Sequence, residues 1–184
     1  IPIDEWFRRY TAGLSDAQRA DLKRRYSSAD QLNRTEQKVR AIAWDVSVHF
    51  QTNFKGTGLK GQLVTPSKAT ALLYKRFLDE FGMVTSEVLI SAPSSSEGND
   101  DIDEGRGRGI QAVEAFWTEI IKRFGNESRY QKDVTARFKT ADEPEIIVVV
   151  DKLLTGFDAP RNAVLYLTRS LKDHKLLQAI ARVN

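Results

Sequence analysis

Apolar residues recur along the chain with two different periods, and the change from one to the other divides it. Over the first sixty residues the spacing is helical. Ser15-Asp16-Ala17-Gln18 has the form of a capping box, with Ser at the N-cap and Gln at N3. Asn33-Arg34-Thr35-Glu36 offers a second helix start. Val39, Ile42, Ala43, Val46 and Phe50 then fall on one helical face. The run Asn53-Phe54-Lys55-Gly56-Thr57-Gly58 is expected to end that helix. Beyond it the pattern becomes short apolar runs alternating with helical stripes. Gln62-Leu63-Val64-Thr65 reads as a buried strand. Ala69, Leu72, Leu73, Phe77 and Phe81 place a helix over 67–81, closed by Gly82. Val88-Leu89-Ile90 is a second strand. Residues 92–109 read as a loop rich in Ser, Gly and acid, ending in Gly105-Arg106-Gly107-Arg108-Gly109. Ile110, Val113, Trp117, Ile120, Ile121 and Phe124 form another helical stripe, and 134–138 a short helix. Ile146-Ile147-Val148-Val149-Val150 is apolar on both faces, as a central parallel strand requires. Ala163-Val164-Leu165-Tyr166-Leu167 is a further strand, and Asp173 caps a last helix carrying Leu176, Leu177 and Ile180.

From residue 61 onward, strands alternate with helices. This order predicts an α/β fold: an open, mostly parallel sheet with helices on both faces, preceded by a helical arm. Ligands of such sheets lie beyond the carboxyl ends of the strands. The places to search are therefore the turns after Thr65, Ile90, Val150 and Leu167.

Composition narrows the chemistry. The chain has 184 residues, no cysteine, and 28 Lys plus Arg against 25 Asp plus Glu, a net charge of +3. The absence of cysteine excludes disulfides, thiolate zinc sites and a cysteine nucleophile. The small positive charge permits a nucleic-acid partner without demanding one. No apolar run approaches the ~18 residues of a membrane span, so a cytoplasmic protein is expected. The chain starts at Ile1 rather than Met and stops at Asn184, just past a well-patterned segment, and it reads as an excised piece of a longer protein.

Most motif matches fail on context. Gly56-Thr57-Gly58-Leu59-Lys60-Gly61 fits G-x-G-x-x-G but precedes a strand instead of following one, so it reads as a flexible link. No phosphate loop of the form G-x-x-x-x-G-K-[ST] is present. Asp79-Glu80 lies inside a helix, away from any strand end, and His49 and His174 have no ligand spacing around them. Three segments do carry chemistry. Thr65-Pro66-Ser67-Lys68 places two hydroxyls, an ammonium and free helix N–H groups at a strand-to-helix turn, a setting for phosphate. Asp151-Lys152-Leu153-Leu154-Thr155-Gly156-Phe157-Asp158-Ala159-Pro160 puts two carboxylates and a glycine at the ligand end of a central strand. Gln178 and Arg182 share one helix face, and an arginine reads phosphate by bidentate contact.

In order, the segments 60–67, 151–160 and 177–184 resemble motifs IV, V and VI of superfamily 2 helicase motors. The wording of Asp151–Pro160 and Leu177–Asn184 is similar to the R (HsdR) subunit of type I restriction-modification enzymes. The resemblance covers roughly residues 60–184. It implies that 60–184 is the second RecA-like domain of an ATP-driven double-stranded DNA translocase, truncated within motif VI. Residues 1–59 would be a helical arm from the preceding motor domain. It further implies Arg182 as a catalytic arginine at the γ-phosphoryl group, with Gly156, Asp158 and Gln178 beside it at the nucleotide. Thr65, Ser67 and Lys68 would grip the DNA backbone. Many superfamily 2 helicases carry a DNA-contacting threonine where this chain has Val150, which moves that contact to Lys152 or Thr155. The cofactors implied are ATP and Mg²⁺, the metal ligands coming from the first motor domain. The partners implied are double-stranded DNA, methylation and specificity subunits, and that first domain. The piece alone is expected to be inactive. The alternatives are the motor domain of another superfamily 2 protein and a non-catalytic α/β module that holds nucleic acid.

Overall fold

The computed structural model describes residues 16–93, 106–152 and 159–169, with side chains described from 35 and, in the third helix, from 108. The elements in chain order are α1 (Asp16–Asn53), β1 (Lys60–Val64), α2 (Lys68–Phe81), β2 (Ser86–Leu89), α3 (Arg106–Phe124), α4 (Glu127–Thr140), β3 (Ile146–Val149) and β4 (Asn162–Leu167). The four strands form one parallel sheet in the order β2-β3-β1-β4. This is the parallel α/β arrangement the alternation predicts, and it agrees with the RecA-like fold that the resemblance implies.

Two compact units divide the chain, residues 1–37 and 38–184. The first is helical over its described residues, 16–37. Where the sequence offers a new helix start at Asn33, the structure has one helix of 38 residues. The physical reason is that no Pro or Gly interrupts 16–53, and the polar residues near Asn33 cost a few tenths of a kcal/mol each rather than a break. Ser15, the other proposed cap, lies outside the described residues.

In the second unit, the two faces of the sheet are covered separately. Val39, Ala43, Val46 and Phe50 of α1 join Ala71, Tyr74, Phe77 and Leu78 of α2 over Leu63, Val88, Ile146 and Val148. On the opposite face Val113, Trp117 and Ile120 of α3 and Tyr130, Val134 and Phe138 of α4 cover Val64, Leu89, Ile147 and Val149. Both faces of β3 are thereby filled, which explains its unbroken apolar run. Crossovers on opposite faces follow from topology. The chain leaves β1 for the far strand β2 and returns to β3 from the other direction, and right-handed connections then place α2 and α3–α4 on different sides.

Caps set the helix limits. Ser67 accepts a hydrogen bond from Thr70 N, and Gly82 closes α2 at φ 63° in the left-handed region. Asn126 caps α4 by accepting from Arg129 N. The segment 106–109, expected to end a loop, instead begins α3. A Cβ on Gly109 would stand 3.0 Å from the Ala69 Cβ, so glycine there lets α2 and α3 approach closely. The glycines at 56 and 58 serve a hydrogen-bonded turn at φ 78° and 77°, not an unstructured link. Gly58 O accepts from Arg161 Nε at 2.5 Å. That guanidinium also holds Ala141 O at 3.1 Å, and the buried Lys60 donates to Asp142 O and to Pro144 O. Burial, followed by the nearby Arg161 charge, lowers the Lys60 ammonium below its usual range. This cationic cluster ties down the amino edge of the sheet, opposite the edge where a ligand is expected.

Candidate functional site

The carboxyl edge of the sheet gathers four of the sequence-selected residues. Thr65, Ser67 and Lys68 leave the end of β1, and Lys152 leaves the end of its neighbour β3. Their side chains are already engaged. Thr65 is fully buried; its N–H donates to Val149 O at 2.8 Å and its hydroxyl to the same oxygen at 3.1 Å. Its role in the structure is to join the exits of β1 and β3. Ser67 serves as the α2 cap, its Oγ 2.9 Å from Thr70 Oγ1. Lys68 is buried, and its Nζ donates to Ala92 O at 2.8 Å beyond β2. Lys152 Nζ meets Glu127 Oε1 at 2.9 Å, at the start of α4. An anion at this edge would compete with Glu127 for Lys152. It would find the Lys68 ammonium desolvated and aimed at a carbonyl.

Thr155, Gly156, Asp158, Gln178 and Arg182 lie outside the described residues. So do residues 173–184, expected to form a last helix, and residues 94–105, expected to form a loop. Val150 is fully buried beneath this edge.

Two residues not singled out from the sequence complete the arrangement. Thr168 and Arg169 follow β4. Thr168 donates to Val64 O from its N–H at 3.0 Å and from its hydroxyl at 2.8 Å. It is also hydrogen-bonded to Tyr74, whose phenol burial pushes upward. Arg169 Nη2 reaches past β1 to Val150 O at 3.2 Å and to Asp151 Oδ1 at 2.5 Å. The signal that could have found them is their place, directly after Leu167 at the ligand end of a parallel strand. A guanidinium gave no further clue, because its partner is eighteen residues back in sequence and two strands away in space.

The rest of the edge is apolar support. Trp117 Nε1 donates to Ser91 O at 3.0 Å, fixing the chain as it leaves β2. No group of three or more His, Asp or Glu that could hold a metal occurs among the described residues. No helix there is long and apolar enough to cross a membrane.

The described edge is thus a cationic and hydroxyl-rich strand-exit platform on a RecA-like sheet. Comparison with known proteins identifies its family. The family model for type I restriction enzyme subunit R domain 3 matches residues 64–184. A type I restriction enzyme endonuclease subunit of Methanocaldococcus jannaschii, MjaVIIIP, is 29% identical over 158 residues, covering 83% of this chain and 15% of that protein. A second from the same organism, MjaVIIP, is 24% identical over 193 residues, covering 99% of this chain and 17% of that protein. The HindI endonuclease subunit of Haemophilus influenzae is 27% identical over 152 residues, covering 82% and 13% respectively. The chain thus spans about one sixth of the length of the curated relatives it matches. With the family model covering well over half of its length, the chain belongs to the type I restriction enzyme R-subunit family, in the region of domain 3.

Proposed function

We propose that this chain is the second RecA-like domain of an ATP-driven double-stranded DNA translocase, within the R subunit of a type I restriction enzyme. In that role it forms one wall of the nucleotide cleft and part of the DNA track, and it is inactive alone. The observation that carries the reading is the parallel sheet whose carboxyl edge receives, in adjacent strand exits, residues 65–68 and 151–152, the described parts at that edge of the segments resembling motifs IV and V. In a two-domain motor that edge faces the partner domain, where ligands of open α/β sheets bind. ATP hydrolysis supplies the energy of movement. The part assigned to this chain is electrostatic: Arg182 offsets charge developing on the transferred phosphoryl group, with Gln178, Gly156 and Asp158 lining the contact. Lys152, Thr155 and Ser67 are assigned to backbone phosphates. Thr65 and Lys68 are the exceptions within the set, since the Thr65 hydroxyl is spent on Val149 O and the buried Lys68 ammonium on Ala92 O, and both support the turn from below. The Mg²⁺ ligands fall to the first motor domain. Methylation and specificity subunits are the expected partners, and the cytoplasm the expected compartment.

The test is DNA-stimulated ATP hydrolysis by the full-length protein assembled with those subunits, for wild type and Arg182→Ala. The substitution is expected to lower the stimulated rate by about 10³-fold or more while DNA binding survives. An unchanged rate removes Arg182 from the nucleotide. No hydrolysis by wild type, together with tight and steeply salt-dependent DNA binding by this piece alone, would replace the motor with a binding module.

A further inference from the structure

The exits of three adjacent strands are cross-tied by side chains, beyond what the ladder requires. The ladder ends at Val64 against Val149 on one side and Leu167 on the other. Past that point Thr65 joins β1 to β3 through its hydroxyl, and Thr168 joins β4 to β1 through its hydroxyl. Arg169 then closes the triangle directly, from β4 over β1 to Val150 O and Asp151 at the end of β3. The Arg169–Asp151 pair is partly desolvated, with side chains 17% and 37% exposed, so solvent weakens it less than a surface pair. The Arg169 Nε–H is buried with no partner among the described residues, so the guanidinium is oriented for Nη2 to reach both acceptors at the cost of one donor.

We propose that Thr168 and Arg169 are positioning residues that couple the two motif-bearing turns of this domain. The inference rests on the motor reading above. Thr168 holds the main chain where it enters the 65–68 turn, assigned to DNA. Arg169 holds the main chain where it enters the turn that follows Asp151, whose next residues are assigned partly to nucleotide. Two consecutive residues therefore grip the entrances to both turns. A shift at one entrance strains the bonds at the other, because a packed sheet edge moves as a unit. Neither side chain needs to touch a ligand for this. What they set is the free energy by which one ligand favours the binding of the other.

The test uses the full-length R subunit assembled with its methylation and specificity subunits. The affinity of a fluorescent non-hydrolysable ATP analogue is measured with and without saturating unmethylated duplex DNA, and the ratio gives a coupling factor. For wild type a factor of about 5–150 is expected, the usual range of site-to-site coupling. Arg169→Met is expected to bring the factor close to one through the affinity measured with DNA, while the affinity measured without DNA changes little. Arg169→Lys is expected to restore much of it, since a single ammonium can donate to both acceptors that Nη2 serves. Thr168→Val, which removes the hydroxyl at nearly constant volume, is expected to lower the factor in the same direction, and it decides the matter should Arg169→Met not fold.

Wild-type coupling in both Arg169→Met and Thr168→Val overturns the inference and leaves the motor reading standing. A loss in Arg169→Met that falls equally on each separate affinity and is not rescued by lysine shows a merely structural role and also overturns it. Failure of wild type to bind the nucleotide analogue at all overturns both readings.

Discussion

Tyr130 offers the sharpest test of how the α3–α4 face is held to the sheet. It is fully buried at the first turn of α4. Its ring lies 5.6 Å from that of Trp117, 6.1 Å from Phe116 and 5.6 Å from Phe124, and its hydroxyl donates to Val88 O in the edge strand β2. Burial pushes the phenol above its usual range, which favours the protonated, donating form. Tyr130→Phe keeps the ring and deletes the donor. The Val88 carbonyl then loses a buried bond, which costs about 1–2 kcal/mol. Tyr130→Ala removes the centre of the aromatic cluster as well and costs about 3–5 kcal/mol. At about 2–4 °C per kcal/mol for a domain of this size, the expected falls in Tm are roughly 2–8 °C and 6–20 °C. Urea unfolding followed by tryptophan fluorescence and by circular dichroism would give both free energies, with unchanged m-values showing that only stability has moved. A Tyr130→Phe protein within ~0.5 kcal/mol of wild type would show that the hydroxyl bond contributes nothing net. An alanine variant no less stable than the phenylalanine one would refute the assignment of the ring to the core.

Other perturbations probe other links. Ser67→Ala deletes the α2 cap and is expected to lower stability by about 0.5–2 kcal/mol in the same unfolding experiment, with Ser67→Gly nearer to wild type. Gly61→Ala places a Cβ 3.2 Å from Val164 Cγ1 and 3.3 Å from two Phe50 ring atoms in a packed strand. Overpacking there should cost about 1–3 kcal/mol, with partial relief in Gly61→Ala/Val164→Ala. Burial pushes the Tyr166 phenol from 10.0 up to about 12. The unfolded chain therefore releases this proton first, and stability falls as pH rises from about 10 to about 12. Tyr166→Phe should shallow that alkaline fall in unfolding curves taken across the window; an identical slope would show that Tyr166 is not its source.

The elements themselves were legible in the order of the residues, because each carries its own periodicity and its own end signals. The α2 helix is the clearest case: Ser67 and Gly82 bound an apolar stripe, and both act as caps in the structure. The double-faced apolar run at 146–150 announced a central strand, and β3 is flanked on both sides. The segments resembling helicase motifs pointed to the R-subunit family before any fold was known, and the family match covers the same region. What local pattern misreads, long-range packing decides. The Gly-Arg segment at 106–109 has poor helix propensity, yet it begins α3 where Gly109 makes room for Ala69. The break expected at Asn33 does not occur, since a polar patch without Pro or Gly is too weak to end a helix. At the carboxyl edge, the strand-to-helix turn marked Thr65, Ser67 and Lys68 as chemistry-bearing residues, the family resemblance added Lys152, and the structure places all four at that edge. Only the tertiary structure shows that Thr65 and Lys68 are turned inward onto main-chain carbonyls. It alone brings Arg169 to Asp151. Hydrogen-bonding partners across a parallel sheet are set by strand order and register, and neither is written in the periodicity of any single strand.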